Sequence, residues 1–474
     1  MADAFGIDFG TTNSALCYYS AAANDKIFIG EDVKKGAKYP LPSIVALNKK
    51  SGKIIVGKEV KDKMRSLEND YHIVLSIKTI LNDENKKWLV GDKEYSTIDI
   101  ATKILEALKE NATNRYEGID LSAAVFSVPV NFEASKKKCL YQAAKNAGIE
   151  IKKFVSEPTA AYMAHYAELE HLSEIIVFDW GGGTLDISAL KKEDGSVREI
   201  YTDNLYKAGD YIDRRFSQLI YEKLVRENNL PERPFEELAP CDQDGLLAAA
   251  ERLKIELSRK NSAKELIHIN EKNYFISARN DELCNVSASL IKEAIEKLSH
   301  VINNSEFKNI GRILCVGGSC NLRLLREELE KKFGKDILLF PDTPEWDVAD
   351  GACAIDATDD SIGKLLLADD IKLGLSDGEW LTLLSKGQPV PCDPAKFYLS
   401  TVDSTESAKF VFQTNKQDKE CILFPVFGGV DEVLKLSVYI DNFFVLHATV
   451  ETNKEKKEYQ IFTCEKIGIC YRLE

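Results

Sequence analysis

The sequence predicts a two-lobed α/β molecule followed by a small all-β region, and three observations carry that prediction. The stretch VFDWGGGTLDIS, residues 177–188, sets Gly181, Gly182 and Gly183 between Asp179 and Asp186, with Thr184 ahead of the second aspartate. About 170 residues earlier, FGIDFGTTNSALCYY repeats the arrangement: Asp8 ends a strand-like run and is followed by Gly10, Thr11, Thr12 and Asn13. Beyond Asp356 helical periodicity gives way to a period of two, the mark of half-buried strands.

The runs Ile175–Phe178 and Leu185–Leu190 are β-branched and apolar, so the glycines interrupt a strand–turn–strand corner. A single glycine triplet is more often a tight bend than a site. Two aspartate-headed corners in one chain point instead to related lobes facing a shared ligand. Each corner offers backbone N–H groups and hydroxyls to an anion, and Asp8 and Asp179 are suited to the accompanying cation. Phosphate with Mg²⁺ fits both demands. No Gly-Lys-Ser or Gly-Lys-Thr occurs, so the ordinary phosphate-binding loop between a strand and a helix is excluded.

Along the chain, YPLPSIVAL gives a strand over 43–47, and IIVGKEVKDKM passes from strand to helix across Gly57, placing Lys61 one turn inside. AAVFSVPVNFEASKKKCLYQAAKNAGI reads as a strand over 123–130 and a helix from about Ala134 that ends at Gly148. Glu157 and Pro158 then open a helix after a strand ending near Val155. An anion at a helix mouth complements the dipole, so a plain capping role for Glu157 competes with a functional one. In LLAAAERLKIELSRK, Glu251, Lys254 and Ser258 share one helical face, a pattern that usually meets water. The strand 313–316 leads through Gly317, Gly318 and Ser319 into a helix over about 322–333, whose N–H groups a phosphate or ribose could approach. PEWDVADGACAIDA supplies the last helix. Further on, Leu434, Leu436, Val438 and Ile440 alternate with polar residues before an Asp441–Asn442 turn, and KFYLST, KFVFQT and EYQIFTC read as further strands.

The chain of 474 residues has ample material for two or three domains, with 44% hydrophobic and 29% charged residues. Its formal charge of −14 disfavours binding to nucleic acid or an anionic membrane. The local basic triplet Lys136–Lys138 reads as a solvated helix face. Eleven cysteines without a Cys-x-x-Cys, and a start that enters the first strand without a charged-then-apolar leader, point to a reducing cytoplasmic setting. No apolar run approaches the roughly 18 to 20 residues that span a bilayer, and the histidines show no metal-binding spacing.

GIDFGTTNS, VGKEVK, SVPVNFEAS, SEPTAAYMAHY, VFDWGGGTLDIS, AERLKIELS, VGGSCNLRLL, DVADGA and KLLLADD, in this order and spacing, resemble the DnaK-type chaperones of the seventy-kilodalton heat-shock family. The likeness is close over residues 3–385 and loose beyond. It implies an actin-like ATPase of duplicated RNase H-like lobes over 1–358, divided at about 170. An apolar linker over 359–370, carrying Leu365, Leu366 and Leu367, and a β-sandwich over 371–474 would follow. Thr11, Thr12 and Asn13 would then contact the β- and γ-phosphates beside Gly10, and Gly181–Gly183 with Thr184 would close over the γ-phosphate. Asp8 and Asp179 would arrange Mg²⁺ through its water shell. Lys61 matches the catalytic lysine, and Glu157 and Asp186 match carboxylates of the metal and water network. Glu251, Lys254 and Ser258, opposite Gly317–Ser319, match the adenosine pocket.

The implied activity is hydrolysis of ATP to ADP and phosphate with Mg²⁺, K⁺ being a further candidate cation, to gate binding of unfolded or extended polypeptides. A J-domain co-chaperone and a nucleotide exchange factor are the candidate partners. Asn321 stands where the family has an arginine that packs on adenine, Ala208 and Trp180 depart beside the glycines, and Lys137 replaces an arginine at the contact that senses the linker. The resemblance leads to the expectation of a β region without the family's helical lid. Three other readings compete: a chaperone-like ATPase whose β domain docks a dedicated partner, a small-molecule kinase, and a filament former on the same core.

Overall fold

The computed structural model describes residues 3–473 apart from 33–37, 116–117, 305–306, 308, 359–362, 404–405, 415–417 and 428–430. The expected start of the linker, 359–362, therefore lies outside the described residues. The chain forms two compact units: Met1–Val128, Leu140–Lys191 and Glu199–Ala357 make the first, and Pro129–Cys139, Lys192–Arg198 and Thr358–Glu474 the second.

The first unit is mixed α/β. One sheet runs in the order Glu150–Ser156, Ala123–Val128, Ala4–Phe9, Asn13–Ser20, Asp25–Ile29, and another contains Leu338–Leu339, Arg312–Val316, Glu174–Trp180, Leu185–Glu193 and Ser196–Leu205 in neighbouring positions. In each, the glycine-containing corner joins the two strands of an antiparallel hairpin, and the strand before the corner runs parallel to another strand. Register sets Asp8 beside Ser127, and it sets Asp179 beside both Asp186 and Val316. The strands are apolar on both faces because helices cover them: Ile176 and Phe178 on one face of their strand and Ile175 and Val177 on the other are all buried.

Helix Asp347–Ala357 packs on both the strand Ala4–Phe9 and helix Glu157–Ala164. The approach is close enough that a Cβ on Gly351 would fall 1.6 Å from the Ala160 carbonyl oxygen. A Cβ on Gly6 would meet the Cys353 nitrogen at 2.1 Å. Neither glycine has a positive φ, so space between backbones, and not backbone conformation, demands the missing side chain.

Several local expectations shift. The strand at 123 ends at Val128, two residues earlier than its apolar run suggests. Gly317–Ser319 do not open the long helix: a short 3₁₀ segment, Gly318–Asn321, intervenes, and the helix spans Arg323–Phe333 with Leu322 as its cap. The turn after Ile440 is longer than two residues, because the Asp441 side chain accepts from the N–H groups of both Phe443 and Val445.

In the second unit, two four-stranded antiparallel sheets run Trp380–Leu384, Ile371–Gly374, Ser407–Thr414, Lys419–Pro425 and Ala395–Ser400, Val433–Ile440, Leu446–Glu451, Lys456–Phe462. Leu434, Leu436, Val438 and Ile440 alternate inward as their period requires, and Phe410, Phe412, Phe424 and Phe462 join them in burial. Lys137 is also buried, against the expectation of a solvated face: its ammonium lies 4.3 Å from the centre of the Phe444 ring. Burial lowers its pKa, opposed by the neighbouring Cys464, Glu465 and Asp441. All eleven cysteines are free, and no helix among the described residues is long and apolar enough to cross a membrane.

Gly351→Ala should destabilise the first unit by about 1–3 kcal/mol, the usual cost of overpacking, read as a lowered thermal midpoint. A midpoint equal to the parent's would show that the two helices part freely.

Candidate functional site

The two corners meet within the first unit. A Cβ on Gly183 would lie 2.7 Å from the Thr12 hydroxyl oxygen, and one on Gly182 would lie 2.8 Å from the Thr12 methyl. Thr12 is itself fixed, its carbonyl accepting from the Ser43 N–H at 2.8 Å. The triplet's turn is closed by the Gly181 N–H donating to the Thr184 carbonyl at 3.0 Å. Its carbonyls are then used from outside. Gly181 accepts from the Gly209 N–H at 3.2 Å and the Ser319 hydroxyl at 2.8 Å, and Gly182 accepts from the Asp210 N–H at 2.9 Å. With its carbonyls tied back, the corner is held rigid beside Thr12. Gly317 sits at φ +83°, and a Cβ there would come 2.6 Å from Asp179 Oδ1, so its glycine is required on two grounds.

Behind the corners lies a group of carboxylates. Burial, then Glu157, pushes Asp8 up to about 6, with Lys78 and a hydrogen bond from Ser127 acting the other way. That bond runs from the Ser127 hydroxyl to Asp8 Oδ1 at 3.0 Å. Burial and the charge of Glu157 push Asp186 up to about 6, moderated by a hydrogen bond from Thr184. Asp179 is raised furthest, by burial and then by Glu157, Asp186 and Asp8. Such mutual repulsion is what a bound cation would relieve.

The cation already among them is one that no motif indicated. Lys78 is 4% exposed and donates to Glu157 Oε1 at 2.6 Å. Burial disfavours its charge, but Glu157, Asp8 and Asp186 outweigh that and raise its pKa. It stands in the short 3₁₀ segment Ile77–Ile80, immediately after Ser76 at φ +52°. The sequence signal was slight: a lysine within LSIKTIL, where apolar neighbours imply burial. Glu157 is not the helix cap: the Ser156 side chain accepts from the Thr159 N–H, leaving the Glu157 carboxylate for Lys78.

Lys61 is placed elsewhere. It donates to Glu251 Oε1 at 2.8 Å, and although burial opposes its charge, Glu251, Asp210 and Asp213 together raise its pKa. The resemblance matched Lys61 to the catalytic lysine; in the structure its ammonium is bonded to a carboxylate of the helix Pro240–Leu257. Its near neighbours are held by the same helix, with Asp244 accepting from the N–H groups of Arg65 and Ser66 at 2.8 Å each. On that helix, Lys254 donates to Asp213 Oδ2 at 2.6 Å, and the Ser258 hydroxyl donates to the Lys254 carbonyl at 3.0 Å. Glu251, Lys254 and Ser258 thus face protein partners and not open water. Asn321 Oδ1 accepts from Arg326 Nη2 at 3.0 Å, and that guanidinium also lies 4.8 Å from the Phe340 ring centre.

Among the described residues, no three carboxylate, histidine or cysteine groups are placed to grip a metal ion directly. Hard oxygen donors in a buried, mutually repelling group still suit Mg²⁺, which keeps several waters and is commonly held through them.

The raised acids also make a pH prediction. Asp186 keeps its proton to a higher pH in the folded chain than in the unfolded one, where 3.8 is its ordinary value. Its stabilising contribution is full below that value and is lost as pH rises through about 6. Asp186→Asn should therefore gain stability relative to the parent between about pH 4 and pH 7, by at most about 3 kcal/mol, in thermal unfolding without nucleotide or Mg²⁺. A difference that does not change with pH would refute the assignment.

A family model described as Hsp70 protein matches residues 66–406, a stretch that holds Lys78, Glu157, both acids of the second corner and the helix carrying Glu251, and more than half of the chain. The chain belongs to the Hsp70 family, whose members are ATP-dependent chaperones that bind ATP or ADP with Mg²⁺.

Proposed function

We propose that this chain binds and hydrolyses ATP through an actin-like domain over 1–358, with lobes at about 1–170 and 171–358. A linker over 359–370 then leads to a β-sandwich over 371–474 that holds extended polypeptide. The observation that carries the reading is the meeting of the Thr12 and Gly181–Gly183 corners in front of Asp8, Asp179, Asp186 and Glu157.

Gly10, Thr11, Thr12 and Asn13 on one side and Gly181–Gly183 with Thr184 on the other supply N–H groups and hydroxyls to the phosphates. Phosphoryl transfer depends on positioning and charge neutralisation more than on covalent help from the protein. Asp8, Asp179, Asp186 and Glu157 would hold Mg²⁺ through its water shell. That ion would supply charge neutralisation at the β- and γ-phosphates.

Lys78 takes the role first expected of Lys61. It is the lysine whose charge is felt by Asp8, Asp186 and Glu157 together, so it is suited to orient an attacking water beside them. Lys61 with Glu251, and Asp244 with Arg65 and Ser66, join elements about 180 residues apart over the same cleft. These contacts suit retention of nucleotide more than its chemistry. Glu251, Lys254, Ser258 and Gly317–Ser319 would surround the adenosine, where Asn321 is already engaged by Arg326 and offers no cationic plane to the base.

Exposed Tyr398, Val402, Phe427 and Val433 support polypeptide binding by the second unit. Register sets Ser400 beside Val433, and Glu432 accepts from the N–H groups of both Thr401 and Phe427, gathering these apolar side chains from separate segments.

Titration calorimetry with MgATP tests the core of the proposal, and absence of binding heat together with absence of turnover would overturn it. For the roles of the two lysines, Lys78→Ala should lower ATP turnover by about 10²- to 10³-fold, the usual cost of losing one charge-stabilising donor, with nucleotide still bound. Lys61→Ala should chiefly speed nucleotide release. A larger loss of single-turnover rate in Lys61→Ala than in Lys78→Ala would reverse the assignment.

A further inference from the structure

The three linker leucines are usually read as a tether that one nucleotide state captures and another frees. Here Leu365–Leu367 form an inner strand of the second unit, with backbone partners on both edges. On one edge lies the strand Ile469–Arg472, which the sequence pattern did not reveal: Leu365 pairs with Tyr471, Leu366 with Cys470 and Leu367 with Ile469. The Ala368 N–H donates to the Gly468 carbonyl at 2.8 Å, the Arg472 N–H to the Lys364 carbonyl at 2.9 Å and the Gly363 N–H to the Arg472 carbonyl at 2.7 Å. On the other edge, the Gly387 N–H donates to the Leu367 carbonyl at 2.7 Å, the Leu367 N–H to the Gln388 carbonyl at 2.8 Å and the Val390 N–H to the Leu365 carbonyl at 3.0 Å.

Strand Ile469–Arg472 is also bonded on its far side. Ser196 pairs with Arg472, Val197 with Tyr471, and the Leu473 N–H donates to the Gly195 carbonyl at 2.8 Å. Within the second unit the linker strand is thus separated from the segment 195–197 by an intervening strand. Alternation divides that strand's backbone groups between two neighbours. Arg472, and by parity Cys470, face the linker, whereas Leu473, and by parity Tyr471, face 195–197. Side-chain burial agrees with a built ladder, since Leu365, Leu367, Cys470, Tyr471 and Leu473 are all buried.

We propose that strand Ile469–Arg472 is a clamp that keeps the linker strand paired in every nucleotide state, so that linker exposure in this chain is not governed by ATP. The clamp goes beyond the ATPase proposal and does not require nucleotide to bind. Its two edges can be read separately, because the Leu366 amide faces Cys470 while the Leu367 amide faces Gln388.

Residue-resolved amide exchange on the full chain, in its nucleotide-free form and with MgADP or MgATP, tests it. Leu366 and Leu367 should be protected to the same degree, within about threefold, in all three conditions. Protection of Leu366 that drops tenfold or more in one nucleotide state would overturn the clamp. Cys470→Pro removes the donor that faces the linker and should speed exchange at Leu366 at least tenfold and more than at Leu367, whereas Tyr471→Pro should act on 195–197 first. Gly468→Val is a milder second variant, since a Cβ there meets Asp369 Oδ2 at 2.7 Å and the Ala368 Cβ at 3.3 Å; it should loosen the Ala368 amide. If Leu366 exchange is unchanged in both Cys470→Pro and Gly468→Val, the clamp is wrong. Calorimetry on the same samples reports nucleotide binding independently, so failure of the ATPase reading and failure of the clamp remain distinguishable.

Discussion

One buried ammonium among four carboxylates is the constraint on which the first unit depends. Moving a charge from water into protein costs several kcal/mol per ion even after relaxation, and here Asp8, Asp179, Asp186 and Glu157 share a space with Lys78 as their internal counter-charge. The protein balances the group incompletely: the raised pKa values of Asp8, Asp179 and Asp186 are the sign of negative charge left in excess. An apolar core would be more stable in the same place. The deficit makes physical sense where a cation arrives with a polyphosphate ligand, because the incoming positive charge then stabilises a cluster that the fold alone does not satisfy.

Holding such a cluster requires backbones, not side chains, to make the closest approaches. Gly182 and Gly183 bring one corner against Thr12, and Gly317 brings a third segment against Asp179 Oδ1. Gly351 and Gly6 do the same one layer below, where helix Asp347–Ala357 lies on the strand that ends in Asp8. A side chain at Gly182, Gly183 or Gly317 would displace the facing threonine or acid, and one at Gly6 or Gly351 would push the helix backbone packed against it. Geometry at the acids is thus inherited from packing in the sheet and helices beneath them.

This division explains what the sequence made legible. Glycine pairs and triplets beside aspartates are local signals, and the two hairpins, their order and the acids at their strand ends could all be read from them. Period-two alternation likewise exposed most strands of the second unit. Lys78 carried only a slight local signal, its apolar neighbours: its importance comes from Glu157, 79 residues away, and the resemblance drew attention to Lys61 instead. Lys137 appeared solvated because its neighbours Lys136 and Lys138 are lysines, yet the aromatic ring that buries it comes from Phe444. The strand Ile469–Arg472 was hidden for the opposite reason, since IGICYR is short and its partners lie more than 100 residues earlier. Tertiary partners decide these positions, and a window along the chain does not contain them.

The segment 365–367, proposed as a linker, shows how magnitudes choose between a tether and a structural strand. Burying a leucine stabilises by roughly 1.5–3 kcal/mol, and the buried Leu365 and Leu367 alone would be compatible with a switch that needs about 5.5 kcal/mol. Pairing on both edges changes the comparison. The six inter-strand hydrogen bonds named above, at about 0.5–1.5 kcal/mol net each, add a cost of the same order as the leucines. A nucleotide can shift this equilibrium only by its differential affinity for the two states, and site-to-site coupling is ordinarily about 1–3 kcal/mol. That is too little to strip a strand paired on both sides. If the clamp holds in every nucleotide state, communication between nucleotide and polypeptide must run through elements that move while 365–367 stay in their ladder.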